Sequence, residues 1–248
     1  MRKRGLAAQE LKSIAVFAML VDHIAWTVVP TGTVWGVMLH MFGRLAMPVM
    51  CYFVAEGYRQ TRSVPKYALR LGIFAAISYV PFILYKTGAL PNSGSYLYLN
   101  AIYTLMLGLL ALWAYDRLQP GSAKLLCILG LCGLSLTADW GVYGVCFILA
   151  FGIHHGDFRK QALWFSVIAG VMLCCGALSN FYVYYTAPGT LSLQRAVASF
   201  IMQLGLFPAI PLLRLYNGQR GTGWKWGFYV FYPSHLLVLG IIKRIFLQ

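Results

Sequence analysis

Apolar residues come in long runs along this chain, and short polar stretches punctuate them. Nine runs can be drawn, at 11–30, 34–56, 67–85, 98–115, 124–137, 140–153, 162–181, 196–213 and 225–242. An α-helix needs about 20 predominantly apolar residues to cross the hydrocarbon core of a bilayer. The pattern therefore predicts an all-α, polytopic transmembrane helical bundle of about nine spans (eight to ten), forming a single domain over residues 1–248. The two runs at 124–137 and 140–153 are marginal in length. They read either as thin spans or as a re-entrant hairpin. The spanning alternative, which leaves Asp139 in a solvated turn, is the preferred one.

Composition reinforces the class: 60% of the residues are hydrophobic, 10% are charged, and the mean hydropathy is +0.69. The opening MRKRG followed by an apolar run resembles a secretory leader, but no small-residue cleavage site precedes the next polar loop. It is expected to be a retained first helix. A formal net charge of +14 suggests nucleic-acid binding until the charges are placed. With the N-terminus in the cytoplasm and the spans alternating, 15 of the 20 Lys and Arg fall on the cytoplasmic side. That asymmetry is the positive-inside rule, and no nucleic-acid motif accompanies it. The lipid bilayer is thus the expected partner, with no nucleic acid. The six cysteines lie in apolar runs without a CxxC, and His154, His155 and Asp157 fall in a basic loop expected to be solvent-exposed. No metal is expected. Oligomeric state has no signature in the sequence.

The first run, LKSIAVFAMLVDHIAWTVVP, carries Asp22 and His23 near its middle. A charge at a helix centre in the membrane costs roughly 2.5–3.5 kcal/mol, so such residues read as functional. Being consecutive, the two side chains point about 100° apart and cannot pair with each other. The second run places His40 and Arg44 four residues apart, on one helical face, at a similar depth. The expectation is an ion pair between Asp22 and Arg44, with His23 facing a cavity. In the last run Pro233 should kink or break the helix, with His235 just beyond it and Tyr232 on the same side. His235 is either a second mid-membrane imidazole of the site or a histidine hydrogen-bonded to a carbonyl freed by the kink. Asn100 opens the fourth run, where it caps the helix or lines a polar vestibule. GTGWKWG, before the last run, has the wrong spacing for a phosphate loop and reads as a flexible juxtamembrane segment.

Taken in order, LVDHI, FGRLAMPVMCYFVAEGYRQTR, PNSGSYLYLNAIYTLMLGLLAL, DWGVYGVCFILAFG and FYVFYPSHLLVLG resemble the TraX family, the membrane acetylases associated with F-pilin. The likeness runs through nearly the whole chain. It implies an acyltransferase of the bacterial cytoplasmic (inner) membrane that uses acetyl-CoA as co-substrate, in a conjugation setting. The implied acceptor is a peptide, most readily a pilin-type N-terminus, with an envelope glycan or a lipid as alternatives. The resemblance also implies His23 and Arg44 as the residues of acyl transfer.

The residues support that chemistry. Acetyl transfer from a thioester needs a base, a dry site and positive or donor groups beside the developing oxyanion. His23 is the expected base, with Arg44, His40 or His235 stabilising charge and Asp22 completing the catalytic set as the partner of Arg44. Arg59, Arg62, Arg70, Arg214 and Arg220, together with Asn100, are the expected groups for the cofactor's polar end. The contrasting possibility is a proton or solute transporter built on the same buried charges.

Overall fold

The structure, a computed structural model, describes residues 5–222 and 226–246. Arg2, Lys3, Arg4 and Lys225, four of the 15 basic residues counted on the cytoplasmic side, lie outside them, as does the centre of the GTGWKWG segment. The described chain is helical: α1 Ala8–Val28, α2 Val34–Gly43, α3 Ala46–Gln60, α4 Val64–Ile77, α5 Tyr79–Thr87, α6 Ala101–Arg117, α7 Ser122–Ser135, α8 Gly141–Ile153, α9 Phe158–Thr186, α10 Leu193–Gln203, α11 Ala209–Arg214 and α12 Gly227–Phe246. A 3₁₀ turn at Leu204–Leu206 joins α10 to α11. Among the described residues the only β features are two isolated bridges, Leu6 with Tyr216 and Leu99 with Ala138.

Every predicted run falls on helix. By length and composition, five segments can cross a membrane: Ala8–Val28, Val34–Gln60, Phe158–Thr186, Leu193–Arg214 and Gly227–Phe246. A sixth, Val64–Ile77 with Tyr79–Thr87, is bent by 43°. α7 and α8 are shorter apolar helices of 14 and 13 residues. The protein is an all-helical membrane protein.

Two proline effects explain where long runs break. The second run is two helices, α2 and α3, with Arg44 and Leu45 between them. Pro48, four residues on, has no N–H for the Arg44 carbonyl and its ring crowds that carbonyl. Pro81, four residues past Ile77, acts likewise at the α4–α5 bend. Pro233 does not break its helix: α12 runs through it from Gly227 to Phe246.

The chain divides into two compact units, residues 1–49 with 162–223 and residues 50–161 with 224–248. In the first, α1 and α2 form an antiparallel hairpin, and α10 and the 3₁₀ turn pack on α2. Leu11, Ala15, Ala18 and Ala25 are fully buried along one stripe of α1. The stripe has helical spacing. The start of α1 is tied down by a distant segment. The N–H groups of Ala8 and Gln9 donate to the carbonyls of Gln219 and Arg220 at 2.8 and 3.2 Å, and Leu6 N–H to the Leu215 carbonyl at 2.8 Å. Glu10 accepts the Ala7 N–H at 2.6 Å. These bonds satisfy donors that a helix start otherwise leaves bare.

In the second unit α6 packs on α4, α7 and α8, and α5 packs on α12. Leu109, Ala111, Leu112, Val145, Phe147 and Ile148 are fully buried between α6 and α8. Gly108 and Gly152 lie where a Cβ would overlap Ile148 and Leu112, so their lack of a side chain lets these helices close up.

Candidate functional site

Asp22 lies six residues before the end of α1, and His40 six residues after the start of α2. In an antiparallel hairpin those positions meet at equal distance from the turn. His40 Nδ1 lies 2.8 Å from Asp22 Oδ1. The His40 side chain is 0% exposed and that of Asp22 13%. Gly43 makes the approach possible, since a Cβ there would overlap Asp22. Asp22 thus takes a different hydrogen-bonding partner from the Arg44 that the sequence suggested. Residues 40 and 44 share a face, and a close α1–α2 contact at Gly43 brings the earlier one against the acid.

The imidazole is held on more than one side. Trp26, one turn beyond Asp22 on α1, packs its ring against His40 with centroids 4.3 Å apart. A carboxylate only accepts, so the hydrogen on Nδ1 is the one that points at Asp22. Nε2 is buried and has no hydrogen-bond partner among the described residues. Bare buried polar atoms are uncommon, and each calls for a cause such as a catalytic role or a bound water. A second one belongs to the same unit: Gln203 Oε1, also buried without a partner. Gln203 ends α10, which packs on α2. Two residues further on, Gly205 sits against the Met41 backbone so closely that a Cβ would overlap it. Two buried acceptors from α2 and the end of α10 therefore stand in one unit. Neither was ranked from the sequence: His40 was one of several charge stabilisers, and Gln203 carries no local signal.

His23 is half-buried, and its carbonyl accepts the Thr27 hydroxyl at 2.8 Å. Arg44 is half-buried at the α2–α3 break, with its N–H donating to the His40 carbonyl at 3.0 Å. Asp22, His23, His40 and Arg44 thus share the first unit.

His235 belongs to the second unit. Its Nδ1 lies 2.8 Å from the Phe231 carbonyl one turn back, and its ring stacks on Phe231 with centroids 4.6 Å apart. The carbonyl is Phe231's, not that of Tyr229, four residues before Pro233, which the missing proline N–H would free. Asn100 is 1% exposed. Its Oδ1 accepts the N–H groups of Ile102 and Tyr103 at 3.1 and 3.3 Å, and Nδ2 donates to the Ala75 carbonyl at 2.7 Å. It is a helix cap whose amide also clamps α4.

The five arginines do not form one cluster within either unit. Arg59 donates to Asp116 Oδ2 at 2.7 Å and to the Gly152 carbonyl at 3.0 Å. Arg70 donates to the Tyr229 hydroxyl at 3.0 Å and lies over the Tyr67 and Tyr229 rings. Both tie helices of the second unit together. Arg62 is exposed in the second unit, and Arg214 and Arg220 are exposed in the first. Asp139 is exposed. His155 is exposed too, and its Nε2 lies 2.9 Å from Glu56 Oε2.

Fold and site together define a multi-helix membrane protein with a carboxylate–imidazole pair buried inside its first helical hairpin. The chain belongs to the TraX family, whose model, described as TraX protein, matches residues 7–243. It is 29% identical over 255 residues to the "Probable fimbrial assembly protein FimC, serogroup H1" of Dichelobacter nodosus, covering 100% of this chain and 99% of that protein. No solved structure matches it.

Proposed function

We propose that this protein is an acetyltransferase of the bacterial cytoplasmic membrane that moves an acetyl group from cytoplasmic acetyl-CoA to the terminal amine of a pilin- or fimbrial-type subunit. The observation that carries this reading is the buried Asp22–His40 pair with its bare Nε2. Asp22 fixes the ring orientation and tautomer, which leaves the Nε2 lone pair as the proton acceptor, the arrangement general-base catalysis uses. The amine nitrogen forms a bond to the thioester carbonyl carbon, and the carbon–sulfur bond breaks. The amine proton passes to His40 Nε2, and from there to the departing CoA thiolate. Gln203 Oε1 supplies a second acceptor, suited to the second N–H of a primary amine. Arg44 supplies positive charge for the developing oxyanion.

The TraX membership and the fimbrial assembly relative support a pilus subunit as the acceptor. The charge distribution supports a cytoplasmic N-terminus and nine crossings, two of them thin. Exposed Arg214 and Arg220 then meet the cofactor's phosphates on the cytoplasmic side.

Purified protein in lipid nanodiscs, given acetyl-CoA and the pilin-type subunit, should yield subunit heavier by one acetyl group in mass spectrometry. His40→Gln should abolish transfer, while His23→Ala should reduce it only partly. Full activity in His40→Gln with none in His23→Ala would return the base to His23. No acetylated product from the wild-type protein would overturn the enzyme reading.

A further inference from the structure

We infer that a cleft at the turn end of the first unit holds the acceptor as an extended peptide, whose amino end reaches along α1 to the Asp22–His40 pair. This rests on the acetyl-transfer reading and adds where the acceptor is held and its direction of approach. The cleft, of about 590 Å³, is formed by the α1–α2 turn and the α9–α10 turn, with Thr31, Gly32, Thr190, Gln194 and Arg195 among its lining. Gln194 Nε2 donates to the Gly32 carbonyl at 2.9 Å and so joins the two walls.

The lining has one charged side chain, Arg195, and no carboxylate. Its five guanidinium N–H donors suit peptide carbonyls. A charged amino end finds no counter-ion there and is repelled by Arg195. The first acid back along α1 is Asp22, six residues before the helix ends at Val28. At 1.5 Å per residue that is about 9 Å. An extended chain advances about 3.3 Å per residue, so roughly three residues bridge the distance. The cleft therefore grips the peptide from about its third or fourth residue onward while its amine lies at His40. Trp26 stands one turn above Asp22, between the two, half exposed and packed on His40. It is the side chain the arriving amine must pass.

By the same geometry the site measures length. A dipeptide reaches the pair without touching Arg195, whereas an octapeptide touches both.

The test uses the full-length protein in nanodiscs with two synthetic peptides from the amino end of the pilin-type subunit, a dipeptide and an octapeptide. Arg195→Gln is exposed and outside the catalytic pair. It should raise KM for the octapeptide roughly tenfold, the loss expected for one charge-assisted hydrogen bond. KM for the dipeptide and for acetyl-CoA should not move. An unchanged octapeptide KM, or an equal rise for both peptides, would overturn the assignment. If the wild type acetylates neither peptide, the enzyme reading fails separately, and binding decides the cleft. The octapeptide labelled at its carboxyl end should then bind Arg195→Gln about tenfold more weakly, and equal binding refutes the cleft. Tighter binding of an oligogalacturonate than of the octapeptide would point to an acidic glycan and overturn the peptide.

Discussion

Each unit holds a carboxylate–imidazole pair, and the two are almost the same length. Asp22 to His40 is 2.8 Å in the first unit, and Glu56 to His155 is 2.9 Å in the second. Their surroundings differ. His155 is 39% exposed, so water can replace either partner, and such pairs contribute about 0–1 kcal/mol. Glu56 also accepts from Gln60 at 2.7 Å, which spreads its charge over local contacts. His40 is out of water altogether, so solvent cannot take the place of Asp22 on its ring, although the two acids are alike in exposure, 13% for Asp22 and 17% for Glu56. The bonded nitrogen differs too: Nε2 in His155, Nδ1 in His40. Contact distance therefore says little about role. What decides it is whether solvent can stand in for a partner, and which ring nitrogen is left over.

The sharpest way to break this contrast is to neutralise each acid. Asp22→Asn should lower acetyl transfer by about 10³–10⁴-fold, as removal of an orienting carboxylate does elsewhere. Glu56→Gln should leave the initial rate within about twofold. Equal losses in steady-state assays would mean that burial does not separate the pairs. Next in size is the packing that brings the first pair together. Gly43→Ala places a methyl group against Asp22, and overpacking of this kind costs about 1–3 kcal/mol. Thermal unfolding in detergent should show a lower Tm. Gly133→Ala in α7, with nothing within 4 Å of the added carbon, should raise it by about 0.5–1 kcal/mol of helix propensity.

Asn100→Ala removes a cap and strands the Ala75 carbonyl, for a loss of about 1–2 kcal/mol in the same unfolding experiment. The smallest effect belongs to His155→Ala, at about 0–1 kcal/mol and shrinking further in high salt. A larger loss there would show that the exposed pair carries structure after all.

Much of the fold was open to inspection in the sequence. The apolar runs all lie on helices, and Asn100 caps α6 through bonds to residues two and three positions on. Such features are local. The number of crossings is less direct, because α7 and α8 are too short for length to settle it. The break after Gly43 could have been anticipated from Pro48 alone, four residues past Arg44. The site was half visible. Asp22 and the His40/Arg44 face were named, but the partner depended on how closely α1 and α2 approach, and Gly43 sets that. Arg59 shows the other limit. Its acid, Asp116, lies 57 positions away on α6, and nothing near Arg59 in the sequence indicates that it is engaged.

The bonds that tie Leu6, Ala8 and Gln9 to residues 215–220 have a consequence for how the protein is made. The first helix leaves the ribosome at the outset, yet the carbonyls that receive its leading amides come some 210 residues later. At about 5–20 residues per second that is an interval of roughly 10–40 seconds. During synthesis the hairpin bearing Asp22 and His40 must wait in the membrane with its beginning unfastened, and the pair becomes fully anchored only when the last third of the chain arrives to fasten it.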